Sequence, residues 1–189
     1  KHAFNGALYL RVVKLLERAE RSESVLAVVI TGSGGYFTSG ADIKELQRQC
    51  EEPSGRTDIL GLLPHPNSHP PSWAELYTTR SLPGPFGVFG SAVLRFPKLL
   101  VAAVNGPAVG VGVTLLPHCD LRAAGVKEGA TLWTPFFRLA IVPEFCSSLT
   151  FPETLGLARA NDMLIMGRKL SAQEALSSGL VSTVVTADT

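Results

Sequence analysis

The chain has 189 residues, 46% of them hydrophobic and 17% charged, enough to bury one sizeable core, and it reads as a single globular domain over residues 1–189. A net charge of +1 with no Lys/Arg cluster leaves no electrostatic footprint for nucleic acid or an anionic membrane, and no apolar run reaches the roughly 18 residues of a membrane span. Cys50, Cys119 and Cys146 are odd in number and lack CxxC spacing, so neither a disulfide framework nor a zinc site is suggested, and reduced thiols in an intracellular compartment are expected.

In chain order, Lys1 opens the sequence without an initiating Met or signal-peptide pattern, and truncation at both ends is expected. Asn5 is placed to cap a helix whose apolar face is expected to carry Leu8, Val12, Leu15, Leu16 and Ala19, with Arg11, Lys14, Glu17 and Arg18 opposite. The β-branched run from Val25 to Thr31 predicts a strand buried on both faces, within a parallel α/β sheet. After TGSGGYFTSG, Asp42 is the expected N-cap of a short helix with Ile43 and Leu46 inward and Glu45 in its first turn.

Residues 51–85 are rich in Pro, Ser, His and Gly and predict a long loop, interrupted by WAELYTTR as a helical turn or two. His65 and His69 would have ligand spacing on a helix, but Pro64, Pro66, Pro70 and Pro71 argue against one, so no metal site is expected. Phe86 to Phe96 predicts a helix stopped by Pro97.

Val101 to Val104 then reads as a buried strand, and Val109, Val113 and Leu116 recur at helical spacing beyond a Gly-rich turn. LRAAG is a short strand, and ATLWTPFFRLAIVPEFCSS carries too many aromatics for a plain surface loop and is expected to line something apolar. Leu157 to Met166 predicts a helix closing at Gly167. Ser171 to Ser178 predicts another, with a Ser171–Glu174 capping box and Gly179 as its stop, and LVSTVV is a final strand.

Two segments, TGSGGYFTSGADI and VNGPAVGVGV, run from a strand through a glycine turn into a helix, where the first helical N–H groups lack partners within the helix. Taken singly, Gly110 and Gly112 read as glycines that let a helix pack tightly against a sheet rather than as a site of ligand approach. Two such turns in one chain are able to aim two N–H groups at one oxygen, an oxyanion hole without a serine nucleophile. There is no G-x-S-x-G elbow, and GSGGYF lacks the Lys-Ser/Thr of a phosphate loop. His118 and Asp120 beside Cys119 do not read as a nucleophile's helpers, because adjacent side chains point apart. Lys44 and Lys98 are either solvated charges or contacts for phosphate groups.

AVVITGSGGYFTSGADIKEL, KLLVAAVNGPAVGVGVTLLPHCDLRAA and MLIMGRKLSAQEALSSGLVSTVV together resemble the enoyl-CoA hydratase/isomerase (crotonase) superfamily. The resemblance implies a crotonase-like ββα spiral core of α/β class, followed in the family by a C-terminal helical region that this sequence does not show. It also implies an acyl-CoA thioester as substrate, a homotrimer if those helices are present, and no cofactor beyond the CoA of the substrate. By position, the oxyanion donors are the amides of Ala41 and Val111. Ser39, Gly40, Ala41, Asp42, Ile43, Gly110 and Phe136 are the implied substrate-binding positions, with Trp133 and Phe137 further candidates for the acyl pocket.

Hydratases of this family place one Glu just after the second glycine turn and another about twenty residues on. Thr114 and Phe136 hold those places here, and neither is able to carry a proton at neutral pH, so hydration is disfavoured. Glu144 in IVPEFCSS resembles the single catalytic Glu of peroxisomal-type Δ3,Δ2-enoyl-CoA isomerases. On residue chemistry alone Glu144 reads as an exposed turn residue after Pro143, with CSS capping a helix. The resemblance gives it the catalytic place, and Phe136, Phe137, Ile141 and Phe145 nearby in sequence are expected to desolvate it and raise its pKa. The implied activity is isomerisation of 3-enoyl-CoA to trans-2-enoyl-CoA in fatty acid β-oxidation, in peroxisome or mitochondrion. Another enolate-forming acyl-CoA enzyme and a non-catalytic acyl-CoA-binding protein stay open as alternatives.

Overall fold

The computed structural model describes residues 2–51, 84–125 and 129–186. Glu51, Gly84 and Pro85 are helical there, while the rest of the expected Pro/His-rich loop, with WAELYTTR, His65 and His69, lies outside the described residues, as do the side chains of Leu46 and Cys50.

Helix α1 (Gly6–Arg21) starts where Asn5 accepts a hydrogen bond from the Leu8 amide at 2.8 Å. Its buried residues are Tyr9, Val13 and Leu16; of the expected stripe Leu16 is buried, Val12 packs against the core, Leu8 and Ala19 are half-buried, and Leu15 is 56% exposed. The sequence offers two overlapping apolar spacings over residues 8–16, and packing against helix α3 (Gly84–Leu94) selects the one that carries Tyr9. Helix α2 (Ile43–Glu51) is capped by Asp42, whose Oδ1 accepts from the amides of Lys44 and Glu45. Ile43 is 39% exposed rather than inward.

Four parallel strands form one sheet in the order β1 (Ala27–Thr31), β2 (Leu99–Val104), β4 (Leu121–Gly125), β7 (Thr183–Val185). Val28, Ile30, Leu100, Ala102 and Val104 join the core with α1 and α3. The other face is uncovered among the described residues, with Val29, Leu99 and Leu121 all more than half exposed. The expectation that Val25 to Thr31 is buried on both faces is therefore wrong. β1 is an edge strand with one face packed, and its β-branched run reflects strand propensity rather than double burial.

A second sheet joins β3 (Ala108–Val109), β5 (Thr131–Trp133) and β6 (Leu170–Ser171), with β3 parallel and β6 antiparallel to β5. Isolated parallel bridges Phe4–Ala41 and Thr38–Ala108 tie the first glycine turn to this sheet. Val109 belongs to β3, so the helix expected from it shrinks to one turn, α4 (Val111–Thr114), followed by a 3₁₀ turn at Leu116–His118. Three further helices, α5 (Ser147–Leu155), α6 (Leu157–Leu164) and α7 (Ala172–Ser177), complete the described chain, and α7 begins with the expected capping box of Ser171 and Glu174.

Candidate active site

The two glycine turns meet. Gly40 and Gly110 both have positive φ, 86° and 53°, which side chains other than glycine rarely adopt. A Cβ built on Gly40 would lie 3.0 Å from the Val109 carbonyl oxygen, and one on Gly110 would lie 3.9 Å from the Gly40 Cα. Gly112 answers a different need, because a Cβ there would collide with the Thr38 methyl, so glycine is a packing requirement at that position.

Backbone hydrogen bonds fix the turns from outside. Phe4 N–H donates to the Gly40 carbonyl and Asp42 N–H to the Phe4 carbonyl, leaving the intervening Ala41 amide directed elsewhere. Gly110 N–H donates to the Trp133 carbonyl at 2.9 Å, and Val111 then opens α4. Among the described residues neither the Ala41 nor the Val111 N–H has a hydrogen-bond acceptor. Ser39 and Asp42 flank the first turn, and Gly40 between them is buried.

Glu144 stands against the second turn. Its Oε1 is 3.8 Å from where a Cβ on Gly110 would lie. The side chain is partly buried, and burial pushes its pKa from the ordinary 4.5 up to about 7, with the Thr114 hydroxyl pulling the other way. Tyr9 lies close enough for the Glu144 and Glu45 charges to add to burial in raising its phenol above the ordinary range.

The main chain around Glu144 is held tightly. Its carbonyl accepts from Ser147 N–H at 2.9 Å and Ser147 Oγ at 2.6 Å, which closes the turn into α5, but Cys146 at the N-cap makes no side-chain cap bond, so the expected capping by CSS is not found. Phe145 and Cys146 both have left-handed φ, 50° and 58°, strained for residues with side chains. The Phe145 carbonyl lies 2.9 Å from His118 Nε2, and the two rings pack with centroids 4.5 Å apart. Beyond Phe145 an aromatic cluster runs through Phe86 and Phe89 to Tyr9 and Phe4.

Several expectations need correction. Phe137 is 74% and Ile141 44% exposed, so they do not desolvate Glu144. Nothing contradicts the places expected of Phe136, which is 2% exposed, or of Trp133, whose indole N–H donates to the Gly167 carbonyl. Lys98 donates to the carbonyls of Ala19 and Ser22 at 2.7 and 2.6 Å and finishes α1, while Lys44 is exposed on α2. His118, Cys119 and Asp120 have separate partners, and burial pushes the Cys119 thiol up to about 12, which removes it as a nucleophile. Tyr9, and His118 as a holder of the Glu144 segment, were not anticipated. Tyr9 was legible as the one aromatic with a polar tip on the α1 stripe, whereas nothing in the sequence pairs His118 with Phe145. Among the described residues no three His, Cys, Asp or Glu side chains are grouped to hold a metal ion, and no helix is long and apolar enough to cross a membrane.

Two sheets, two glycine turns in contact and the Glu144 carboxyl brought to the second of them define the class of α/β protein. The family description "Enoyl-CoA hydratase/isomerase" matches residues 1–60 and 88–189, and the chain belongs to that family, with its crotonase-like fold. It is 38% identical to human "Enoyl-CoA delta isomerase 2" over 184 residues, 97% of this chain and 41% of that protein. It is 36% identical to mouse "Enoyl-CoA delta isomerase 3, peroxisomal", again over 97% of this chain and 50% of that protein. The solved structure of Pseudomonas aeruginosa OdaA superposes with a TM-score of 0.75 at 38% identity, covering 97% of this chain and 62% of that one. The chain thus spans half or less of the length of these curated relatives.

Proposed function

We propose that the protein isomerises 3-enoyl-CoA to trans-2-enoyl-CoA, with Glu144 as the sole proton carrier and the amides of Ala41 and Val111 as the oxyanion hole. The observation that carries this is the Glu144 carboxyl, raised to a pKa of about 7 beside the Gly110 turn. A base with that affinity takes a proton and gives it back at neutral pH. The carboxylate removes a proton from C2, electrons move into the thioester carbonyl to form a dienolate, and the two N–H groups stabilise its oxygen. Glu144 then returns the proton to C4, and the double bond ends in conjugation with the thioester. One proton leaves and one is restored, so the chemistry calls for no cofactor apart from the CoA within the substrate. Ser39, Gly40, Asp42, Ile43, Gly110 and Phe136 are the proposed surroundings of that substrate.

The relatives named delta isomerases support this reading over another enolate-forming reaction, and the word peroxisomal in the mouse name supports that organelle, with the mitochondrion as the other proposed location. A homotrimer belongs to the same proposal and is tested by sedimentation. The decisive experiment follows conjugated-thioester absorbance with 3-hexenoyl-CoA. Turnover by the wild type and its loss in Glu144→Gln are expected. Turnover retained in Glu144→Gln would refute the mechanism, and CoA-ester binding without wild-type turnover would favour a binding protein.

A further inference from the structure

Four polar residues are buried among the described residues: Thr38, Thr114, Thr134 and Ser147. Three have hydrogen bonds. Thr38 Oγ1 donates to the His2 carbonyl and accepts from Gly40 N–H, Thr134 Oγ1 donates to the Met163 carbonyl, and Ser147 Oγ donates to the Glu144 carbonyl. Thr114 is 0% exposed, and its Oγ1 has no hydrogen-bond partner among the described residues. An unpaired buried hydroxyl costs about 1–3 kcal/mol, a penalty that valine, of nearly the same shape, would not incur. A hydroxyl retained there points to a polar neighbour close by.

Its place in the fold indicates which partner. Thr114 N–H donates to the Gly110 carbonyl at 3.0 Å, which ties the two residues together across the single turn of α4. Glu144 Oε1 sits against Gly110, 3.8 Å from the position a Cβ there would take. The carboxyl responds to the hydroxyl, which opposes the effect of burial on its pKa.

We propose that Thr114 is a positioning residue for Glu144: its hydroxyl donates to the ionised carboxylate, engaging one oxygen and leaving the other to exchange the proton with the substrate. This rests on Glu144 being the proton carrier. When the other oxygen takes the proton, the oxygen facing Thr114 becomes the carbonyl oxygen of the acid and still accepts from the hydroxyl, so the pair stays joined through both halves of the transfer. The orientation of the carboxyl plane is then preserved between removal at C2 and return at C4.

The test uses Thr114→Val and Thr114→Ser in the intact protein, with Glu144→Gln as reference. Steady-state kinetics on 3-hexenoyl-CoA are measured across pH, and the Glu144 carboxyl is titrated by ¹³C NMR, its signal identified by its loss in Glu144→Gln. Thr114→Val is expected to lower kcat by about 10-fold or more with KM little changed, and to raise the Glu144 midpoint by about one pH unit. Thr114→Ser is expected to restore both. Unchanged titration and kcat in Thr114→Val, with Glu144→Gln inactive, would overturn the proposal alone. A Thr114→Ser variant as impaired as Thr114→Val would overturn it too, since the methyl would then matter and not the hydroxyl. Full activity in Glu144→Gln would instead defeat the proton-carrier reading on which the proposal stands.

Discussion

Glu144 should make the protein less stable in the pH range where it is useful, and Glu144→Gln should relieve that cost. The carboxyl has a folded-state pKa of about 7 against an ordinary 4.5, because burial penalises its charged form. Below the lower value it is protonated in both the folded and the unfolded chain and contributes no penalty. Between the two values the folded protein binds a proton that the unfolded chain has already lost, so stability falls as pH rises, and it levels off above the folded pKa. At about 1.4 kcal/mol per unit, the interval corresponds to about 3 kcal/mol at most, a large part of the roughly 5–15 kcal/mol that ordinarily holds a domain together. Glutamine has the shape of the neutral acid and no charge to desolvate. Urea denaturation at pH 5 and pH 8 is the assay, with the difference between variant and wild type as the readout, so that every other titrating group cancels. The variant's advantage should be under about 1 kcal/mol at pH 5 and larger by about 2–3 kcal/mol at pH 8. An equal difference at both pH values would refute the reasoning, since the carboxyl would then be solvated in the folded state.

Other outcomes follow from single contacts. In the wild type, kcat/KM should rise with pH to a plateau with a midpoint near 7, as Glu144 ionises in the free enzyme, and a midpoint near 4.5 would point to a solvated carboxylate. Gly110→Ala places a Cβ on a residue with φ of 53° and 3.8 Å from Glu144 Oε1, so it should cost about 1–2 kcal/mol by thermal melting and slow turnover. His118→Leu keeps the apolar contact with Phe145 but removes the donor to its carbonyl, which should cost about 1 kcal/mol and lower kcat without moving the Glu144 midpoint. Lys98→Ala should destabilise by about 1–2 kcal/mol through the exposed end of α1 while leaving KM for the CoA ester unchanged, which separates its structural bonds from a phosphate contact.

Local signals in the sequence translated well where one residue decides a backbone group's fate. Asn5, Asp42 and Ser171 cap the helices they precede, because a short polar side chain has few other ways to satisfy a free helical N–H. The strands at 101–104 and 121–125, and the contact between two glycine turns, were equally legible, although the first begins two residues earlier, at Leu99. Burial was less so. The α1 pattern permitted two stripes, and only packing against α3 chose Tyr9, Val13 and Leu16. The environment of Glu144 was anticipated in direction but not in agents. Phe137 and Ile141, its neighbours in sequence, turn outward, and the groups that approach it come from Thr114 and from Tyr9, distant along the chain. A turn splays adjacent side chains apart, so proximity in sequence is a poor guide to who desolvates a turn residue.

The stretch from Gly110 to His118 ties three parts of the site to one another. It supplies the free Val111 amide, the Thr114 hydroxyl and the His118 ring nitrogen bonded to the Phe145 carbonyl, within one helical turn and the 3₁₀ turn that continues it. Donor, hydroxyl and clamp therefore move as one piece relative to Glu144, and a shift of α4 cannot alter the distance to one without altering the others. The Ala41 amide arrives independently, fixed by Phe4 through the bonds on either side of it. Substitutions under Phe4 should thus change how well an oxyanion is held while sparing the Glu144 titration, whereas substitutions under α4, Thr38 against Gly112 among them, should disturb both at once. Measuring the Glu144 midpoint together with kcat in variants of each kind separates the two halves of the site, and a Phe4 variant that shifted the midpoint would show that they are not mechanically distinct.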